Sequence, residues 1–307
     1  IMEFICPNDG KKLKINNHSL SCPDCDSKYR KEDNLVRFLN SSDDFYEGAY
    51  HNTVNFIPGN NKLVNSLALW TINSGYLNHV KNNFNENDIL LEVGCAGGVS
   101  YFGQRYKMIG CDLSLSSLKL TAKIYDTCIH ANPLELLPLP DNSVEGIVSS
   151  YFWEHLSEIG KEKCLKEFHR VLKPNGKLVF LYDVETENPL ISFYKKKDPN
   201  LYKKNFLEID GHIGYHTIET NKEILHKNNF IIKKNIGLQK TFFQEPSVYE
   251  KLLNWNESNW ILKFLTKINQ SFLLKPYLFF LRLIDIFFSF LPASWSRICL
   301  TIAIVKK

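Results

Sequence analysis

"LLEVGCAGGVS", Leu90 to Ser100, sets an apolar run and a single acid directly against three glycines and an alanine. Leu90 to Val93 reads as a buried strand with Glu92 its lone acid, and Gly94, Ala96 and Gly98 follow at alternate positions. Glycine adopts turns that other residues resist, and small residues let a ligand touch the backbone. The stretch therefore reads as a strand that turns sharply beneath a ligand. A second acid, Asp112, closes the next strand candidate in "KMIGCDLS", 18 residues beyond Gly94. An acid near that distance suits ribose hydroxyls at a neighbouring strand end. The same aspartate also reads as a cap for the helix that "DLS" opens.

Outward from this stretch, strand and helix signals alternate. Strands are expected at Ile89–Val93, Lys107–Cys111, Thr127–Ala131, Glu145–Ser150, Lys177–Tyr182, Phe230–Ile236 and Ile298–Val305. Helices are expected at Leu115–Ile124, Ile159–Leu172 and Ile218–Lys227, with "KPNG" (Lys173–Gly176) turning one helix into the next strand. Such alternation argues for a mostly parallel sheet covered on both faces, with ligands at the carboxyl ends of its strands. Upstream, Leu63, Leu67, Trp70 and Leu77 recur at helical spacing over 61–82. Residues 240–297, rich in Phe, Leu and Trp, break the rhythm and read as a helical insertion before the last strand.

The chain has 307 residues, 44% of them apolar, enough for a sizeable core. A formal charge of +4 permits an acidic partner without demanding one. The opening "IMEFICPNDGKK" lacks the basic and apolar segments of a secretion signal. With most of the eight cysteines scattered singly, a reducing, cytoplasmic setting is expected.

Four segments together carry a resemblance. "LLEVGCAGG", "IGCDLSLSSLKLTAK", "NPLELLPLPDNSVEGIVSSYFWEHL" and "CLKEFHRVLKPNGKLVF" occur in the order and spacing of the class I S-adenosylmethionine-dependent methyltransferases. The resemblance covers about 85–182 and implies a seven-stranded, mostly parallel Rossmann-like α/β sheet with helices on both faces. It implies that Gly94, Ala96 and Gly98 line the methionine and ribose of S-adenosyl-L-methionine, and that Glu92 supports that loop or meets the methionine amino group. Asp112 is expected on the ribose hydroxyls, Leu113 on the adenine, Asn132 near the adenine amino group, and Ser149 or Ser150 beside the methionine. Three positions depart from the common pattern: Ala96 for Gly, Asn132 for Asp and Glu145 for Asp. Asn still accepts a hydrogen bond from an amino group.

Methyl transfer from a sulfonium needs alignment, exclusion of water and, for a hydroxyl or protonated amine, a base. His155 in "FWEHLSE" is the first candidate, although the family often carries "EHL" there. His212 and His216 in "DGHIGYHT" are further candidates, in a segment resembling one that closes over the site of small-molecule enzymes. Tyr182 and Asp183 end the fifth core strand and are candidates for the same pocket. The Asn/Asp-Pro-Pro-Tyr and Pro-Cys motifs of base-methylating enzymes are absent after the fourth strand.

At the front, "CPND" and "CPDC" supply Cys6, Cys22 and Cys25, with Asp9 where a fourth cysteine would complete a set. Residues 1–40 resemble the short zinc-ribbon segments that precede some methyltransferase domains, including bacterial rRNA guanine enzymes. Asp9 or His18 is a candidate fourth ligand for a structural zinc, which a module this small would need for stability. The expected organisation is then a zinc-ribbon-like module at 1–40, a linker with the polar piece "SSDDFYEG" and a helix at 41–84, a cofactor-binding core at 85–239, the insertion at 240–297 and the last strand at 298–307. "KPYLFFLRLIDIFFSFLPASW" has apolar runs too short to span a bilayer, with Arg282 and Asp285 placed to pair at i,i+3. A buried lid or dimer helix, or peripheral membrane contact near a lipid substrate, fits it better. The expected function is methyl transfer to an O or N nucleophile of a small molecule such as a sugar or lipid-linked metabolite. The rivals are rRNA methylation, suggested by the front module, and a scaffold that kept the fold without the chemistry.

Overall fold

Burial alternates along the strands with period 2. Leu91 and Val93 pack with Ile109, Cys111, Ile129 and Ile147, whereas Leu90 packs with Met108, Cys128 and Val148. Neighbouring residues of a strand point to opposite faces, so this pattern requires a sheet covered on both. The computed structural model describes residues 2–41, 46–47 and 53–307. Of the polar piece 41–48, only Ser41, Tyr46 and Glu47 fall among the described residues.

The core strands are β5 (Ile89–Val93), β6 (Lys107–Asp112), β7 (Thr127–His130), β8 (Val144–Ser150), β9 (Leu172–Asp183), β10 (Phe230–Leu238) and β11 (Ile298–Val305). They are preceded by β1 (Lys14–Ile15), β2 (Ser19–Ser21), β3 (Lys28–Glu32) and β4 (Leu35–Arg37). All lie in one sheet ordered β1-β2-β3-β4-β7-β6-β5-β8-β9-β11-β10. From β4 to β9 the neighbours are parallel, and β11 inserts antiparallel between β9 and β10. The carboxyl ends of β5, β6, β8 and β9 share one edge, where Val93, Asp112, Ser150 and Asp183 end their strands.

The front strands extend this sheet. Leu35 of β4 is in register with Cys128 of β7, and Phe4, Leu13, Leu20 and Tyr29 share the apolar cluster that holds Ile129 and Leu137. The "KPNG" turn lies inside β9. The register jumps from Val144↔Leu172 to Gly146↔Lys177, and Asn175 takes φ +64, so the turn is a bulged entry to the strand.

The upstream helix is two helices, Lys62–Thr71 and Tyr76–Asn83. Asn73 and Ser74 break it in left-handed conformation, followed by Gly75 at φ +81. Three consecutive positive-φ residues cannot continue a right-handed helix. The segment 246–287 forms helices Pro246–Leu253, Trp260–Lys267 and Leu274–Phe287. Val248, Tyr249, Leu252 and Leu262 share a small core with Ile191, Tyr194, Tyr202 and Phe206, so the cap draws on 189–208 as well. Arg282 and Asp285 pair at 3.0 Å on one helix.

Candidate active site

The turn after β5 is built on positive φ. Gly94, Ala96 and Gly98 take φ +66, +43 and +75. Part of the small-residue pattern serves the protein's own packing, since a Cβ on Gly94 would lie 2.8 Å from Phe152 Cδ2. Asp112 holds the turn in place. Its Oδ2 accepts from the Ala96 amide (2.8 Å) and its Oδ1 from the Ser114 amide (2.9 Å). The helix Leu115–Thr121 is capped by Ser114, so Asp112 is released from that task. Each carboxylate oxygen has two lone pairs, which leaves Asp112 acceptor capacity toward the cavity. Burial raises its pKa, and the backbone amides oppose that shift. Glu92 is buried below the turn and accepts from Tyr125 Oη. Burial pushes its carboxyl up to about 8.

These residues line one wall of a cavity of about 670 Å³. Glu92, Gly94, Ala96, Gly98, Asp112, Leu113, Asn132 and Ser150 all reach it. Asn132 Oδ1 also accepts from the Leu134 amide at 3.0 Å. Ser149 does not reach it: strand alternation turns its hydroxyl inward, where it donates to the Val93 carbonyl (2.8 Å).

The opposite wall is assembled from distant segments. His155 and His212 both line it, with ring centroids 5.2 Å apart. His155 Nδ1 donates to the Gly211 carbonyl (3.2 Å), so Nε2 carries the ring's lone pair. Burial lowers the pKa of both imidazoles, so neutral rings are favoured. His216 lies outside the cavity lining, its Nδ1 3.4 Å from Lys161 Nζ. Tyr182 is also turned away and pairs with Thr301 Oγ1 (2.9 Å).

Several lining residues were not singled out from sequence: Tyr46, Asn73, Glu154 and Asp210. Asp183, named above, lines the cavity and is clamped by Arg297 Nη1 at 3.1 and 3.2 Å. One signal pointed to this wall. Gly214 of "GHIGYHT" donates its amide to the Glu154 carbonyl (2.9 Å), and a Cβ there would sit 1.6 Å from the Leu156 carbonyl oxygen. That glycine is where the segment closes onto the turn after β8.

At the front, Cys6, Asp9, Cys22 and Cys25 come together, each with a ligand atom within 4.8 Å of the others. Cys6 and Cys25 sulfurs lie 3.6 Å apart, and Asp9 Oδ2 is 3.2 Å from Cys22 Sγ. His18 is not in the group.

Residues 91–180 match the family described as "Methyltransferase domain". The chain carries a class I S-adenosylmethionine-dependent methyltransferase domain. Within that domain lie the glycine turn, Asp112 and the turn bearing His155. An uncharacterised methyltransferase of Bacillus velezensis is 25% identical over 51% of this chain and 66% of its own length. The ubiquinone/menaquinone biosynthesis C-methyltransferase UbiE of Escherichia fergusonii is 33% identical over 29% of this chain and 36% of its own. The match thus spans less than two thirds of either relative. The structure of the YcgJ protein of Bacillus subtilis superposes with a TM-score of 0.47 and 14% identity, covering 76% of this chain and 98% of that one.

Proposed function

We propose that this chain transfers a methyl group from S-adenosylmethionine to an oxygen or nitrogen of a small molecule. The observation that carries this reading is a single cavity with the glycine turn and Asp112 on one wall and His155 and His212 on the other. Bound S-adenosylmethionine supplies a methyl group activated on a sulfonium. Asp112 accepts from the ribose hydroxyls, Leu113 packs on the adenine, Asn132 meets the adenine amino group, and the 94–98 backbone and Ser150 flank the methionine. The His155–His212 pair offers basic nitrogens for the acceptor's proton, and the cap excludes water.

The lining supports a small acceptor over RNA. Among the described residues no lysine or arginine lines the cavity, whereas Asp112, Asp183 and Asp210 do. The phosphodiester backbone of RNA would meet like charge there. The cluster of Cys6, Asp9, Cys22 and Cys25 fits a structural zinc, thiolates with one carboxylate being an acceptable tetrahedral set.

Calorimetry with S-adenosylhomocysteine tests the cofactor assignment. Micromolar binding that weakens on the order of 100-fold in Asp112→Ala is expected, since hydrogen bonds to a charged group are at stake. Absence of binding to folded, zinc-replete protein defeats the reading and favours the scaffold.

A lipid-linked acceptor is favoured by the cap surface. Trp260, Phe264, Phe272 and Phe287 are exposed there, with Lys263, Lys267 and Lys275, and 258–284 contains no acid. Trp70 packs edge-on against Phe279, and Asn73, one turn later, lines the cavity. Among the described residues no helix is long and apolar enough to cross a membrane. An apolar face rimmed by lysine suits an anionic bilayer surface. Sedimentation with phosphatidylglycerol vesicles, lost in a Trp260→Glu, Phe272→Glu double variant, is expected; equal sedimentation of both proteins counts against it.

A further inference from the structure

The acceptor wall holds a second cluster of ligand-type atoms. Glu154, His155 and His212 each offer one, all within 4.8 Å of one another. The first two come from the single turn Trp153–His155 after β8, and His212 comes from the segment that folds back through Gly214.

Two atoms of this group are left without a hydrogen bond. Glu154 is 1% exposed; its Oε1 accepts from the Asp183 amide (3.3 Å), but its Oε2 is buried with no partner. His212 Nδ1 is likewise buried with no partner. A buried polar atom without a partner costs about 1–3 kcal/mol, so a native fold that keeps two such atoms on residues of one cluster calls for an explanation. Burial pushes the Glu154 carboxyl up to about 8, and a cation taking the place of that proton would give the buried carboxylate a counter-charge and serve both unpartnered groups. His155 already shows the arrangement that metal-binding imidazoles need. Its Nδ1–H is held by a backbone carbonyl, which fixes the ring and presents Nε2.

We propose that Glu154, His155 and His212 form a site for a divalent transition-metal ion, with its remaining coordination positions facing the cavity. Two imidazoles and one carboxylate are a known donor set for Zn²⁺ and neighbouring ions that keep an open position. The site's use rests on the methyl-transfer reading: the ion holds an oxygen of the acceptor against the methyl group. A hydroxyl so held loses its proton to water more readily. Its oxygen then bonds to the methyl carbon as the carbon–sulfur bond breaks and its electron pair returns to sulfur. His155 and His212 act in this scheme as ligands and the ion replaces a base.

Manganese is the probe, because the thiolates of the front cluster bind it poorly. The full chain, given a single equivalent of zinc that the front thiolates take up first, is titrated with Mn²⁺ while the free-ion electron paramagnetic resonance signal is followed. One Mn²⁺ per chain is expected, weakened at least ~10-fold in Glu154→Gln and in His212→Gln and unchanged in Cys22→Ser, since even outer-shell partners cost that much. His212→Gln, on a loop, keeps the comparison open should Glu154→Gln fail to fold. No binding to wild type, or binding untouched by His212→Gln, overturns the site. S-adenosylhomocysteine binding is measured on the same samples. Its retention without manganese binding defeats the metal site alone, and its loss in wild type defeats the methyl-transfer reading whatever manganese does.

Discussion

The two walls of the cavity are built on opposite principles. The wall proposed for the cofactor comes from 92–114, and its groups satisfy one another: Asp112 accepts two backbone amides, Glu92 accepts from Tyr125, and Ala96 O accepts from Thr121 Oγ1 (2.6 Å). The wall proposed for the acceptor gathers Glu154, His155, Asp183, Asp210 and His212 from segments far apart, and it leaves Glu154 Oε2 and His212 Nδ1 without partners. A wall complete in itself is preorganised and transferable between proteins. A wall with unused polar atoms has its chemistry finished by whatever binds there.

The largest expected effect lies behind the acceptor wall. Arg297 is buried at the start of β11 and fully paired, to Asp183 (3.1 and 3.2 Å), Glu245 (3.0 Å) and Gln239 (3.0 Å). It ties the end of β9 to the cap. Arg297→Ala leaves two half-buried carboxylates without a cation, which costs about 3 kcal/mol, the low end of the range for a buried pair. A drop in melting temperature on the order of 10 °C is expected for a chain of this size. Affinity for S-adenosylhomocysteine should hold, because no cofactor-wall group loses a partner. Equal loss of both would mean that the walls are one cooperative unit.

What the sequence made legible follows the same division. The glycine turn, Asp112, Leu113 and Asn132 were readable because their partners lie within a few dozen residues and strand alternation fixes which way each points. Ser149 and Ser150 could not be separated until the end of β8 fixed the alternation. The front cysteines were readable from spacing, but their strands' pairing with β7 was not, because a parallel edge contact leaves no local pattern. Glu154, Asp210 and the break at Asn73 were missed for a related reason. Their positions depend on where 184–217 and the first helix pair fold back, and only Gly214 and "INSG" mark those returns.

Gly94→Ala sharpens the comparison from the other side. An L side chain at φ +66 costs about 1–2 kcal/mol, and the new methyl displaces Phe152, so a loss of about 2–3 kcal/mol is expected in chemical denaturation. Here, unlike Arg297→Ala, cofactor affinity should fall together with stability.

Glu92→Gln tests how far the cofactor wall relies on neutral groups. The folded-state pKa of Glu92 is raised by burial to about 8 from an ordinary 4.5. Between those values the native state binds a proton that the unfolded chain does not, so wild-type stability falls as pH rises through the window. Gln keeps an acceptor for Tyr125 and cannot titrate. The variant should therefore gain on wild type by more than ~1 kcal/mol between pH 5 and 8.5. Parallel stability–pH curves would show that Glu92 is ionised throughout.

The smallest expected effect concerns Ala96, where the turn departs from the usual glycine. Alanine at φ +43 carries about 1–2 kcal/mol of strain, and glycine recovers that while losing about 0.5–1 kcal/mol to unfolded-state entropy. Ala96→Gly should then stabilise by about 0.5 kcal/mol in urea denaturation, with the Ala96 amide still donating to Asp112. Ala96 also lines the cavity, so cofactor affinity reports on the substitution separately. Unchanged affinity places the departure within what the cofactor wall tolerates. A gain of tenfold or more would mean that the methyl obstructs the site, and would make Ala96 the residue through which a scaffold descended from an enzyme had lost its ligand.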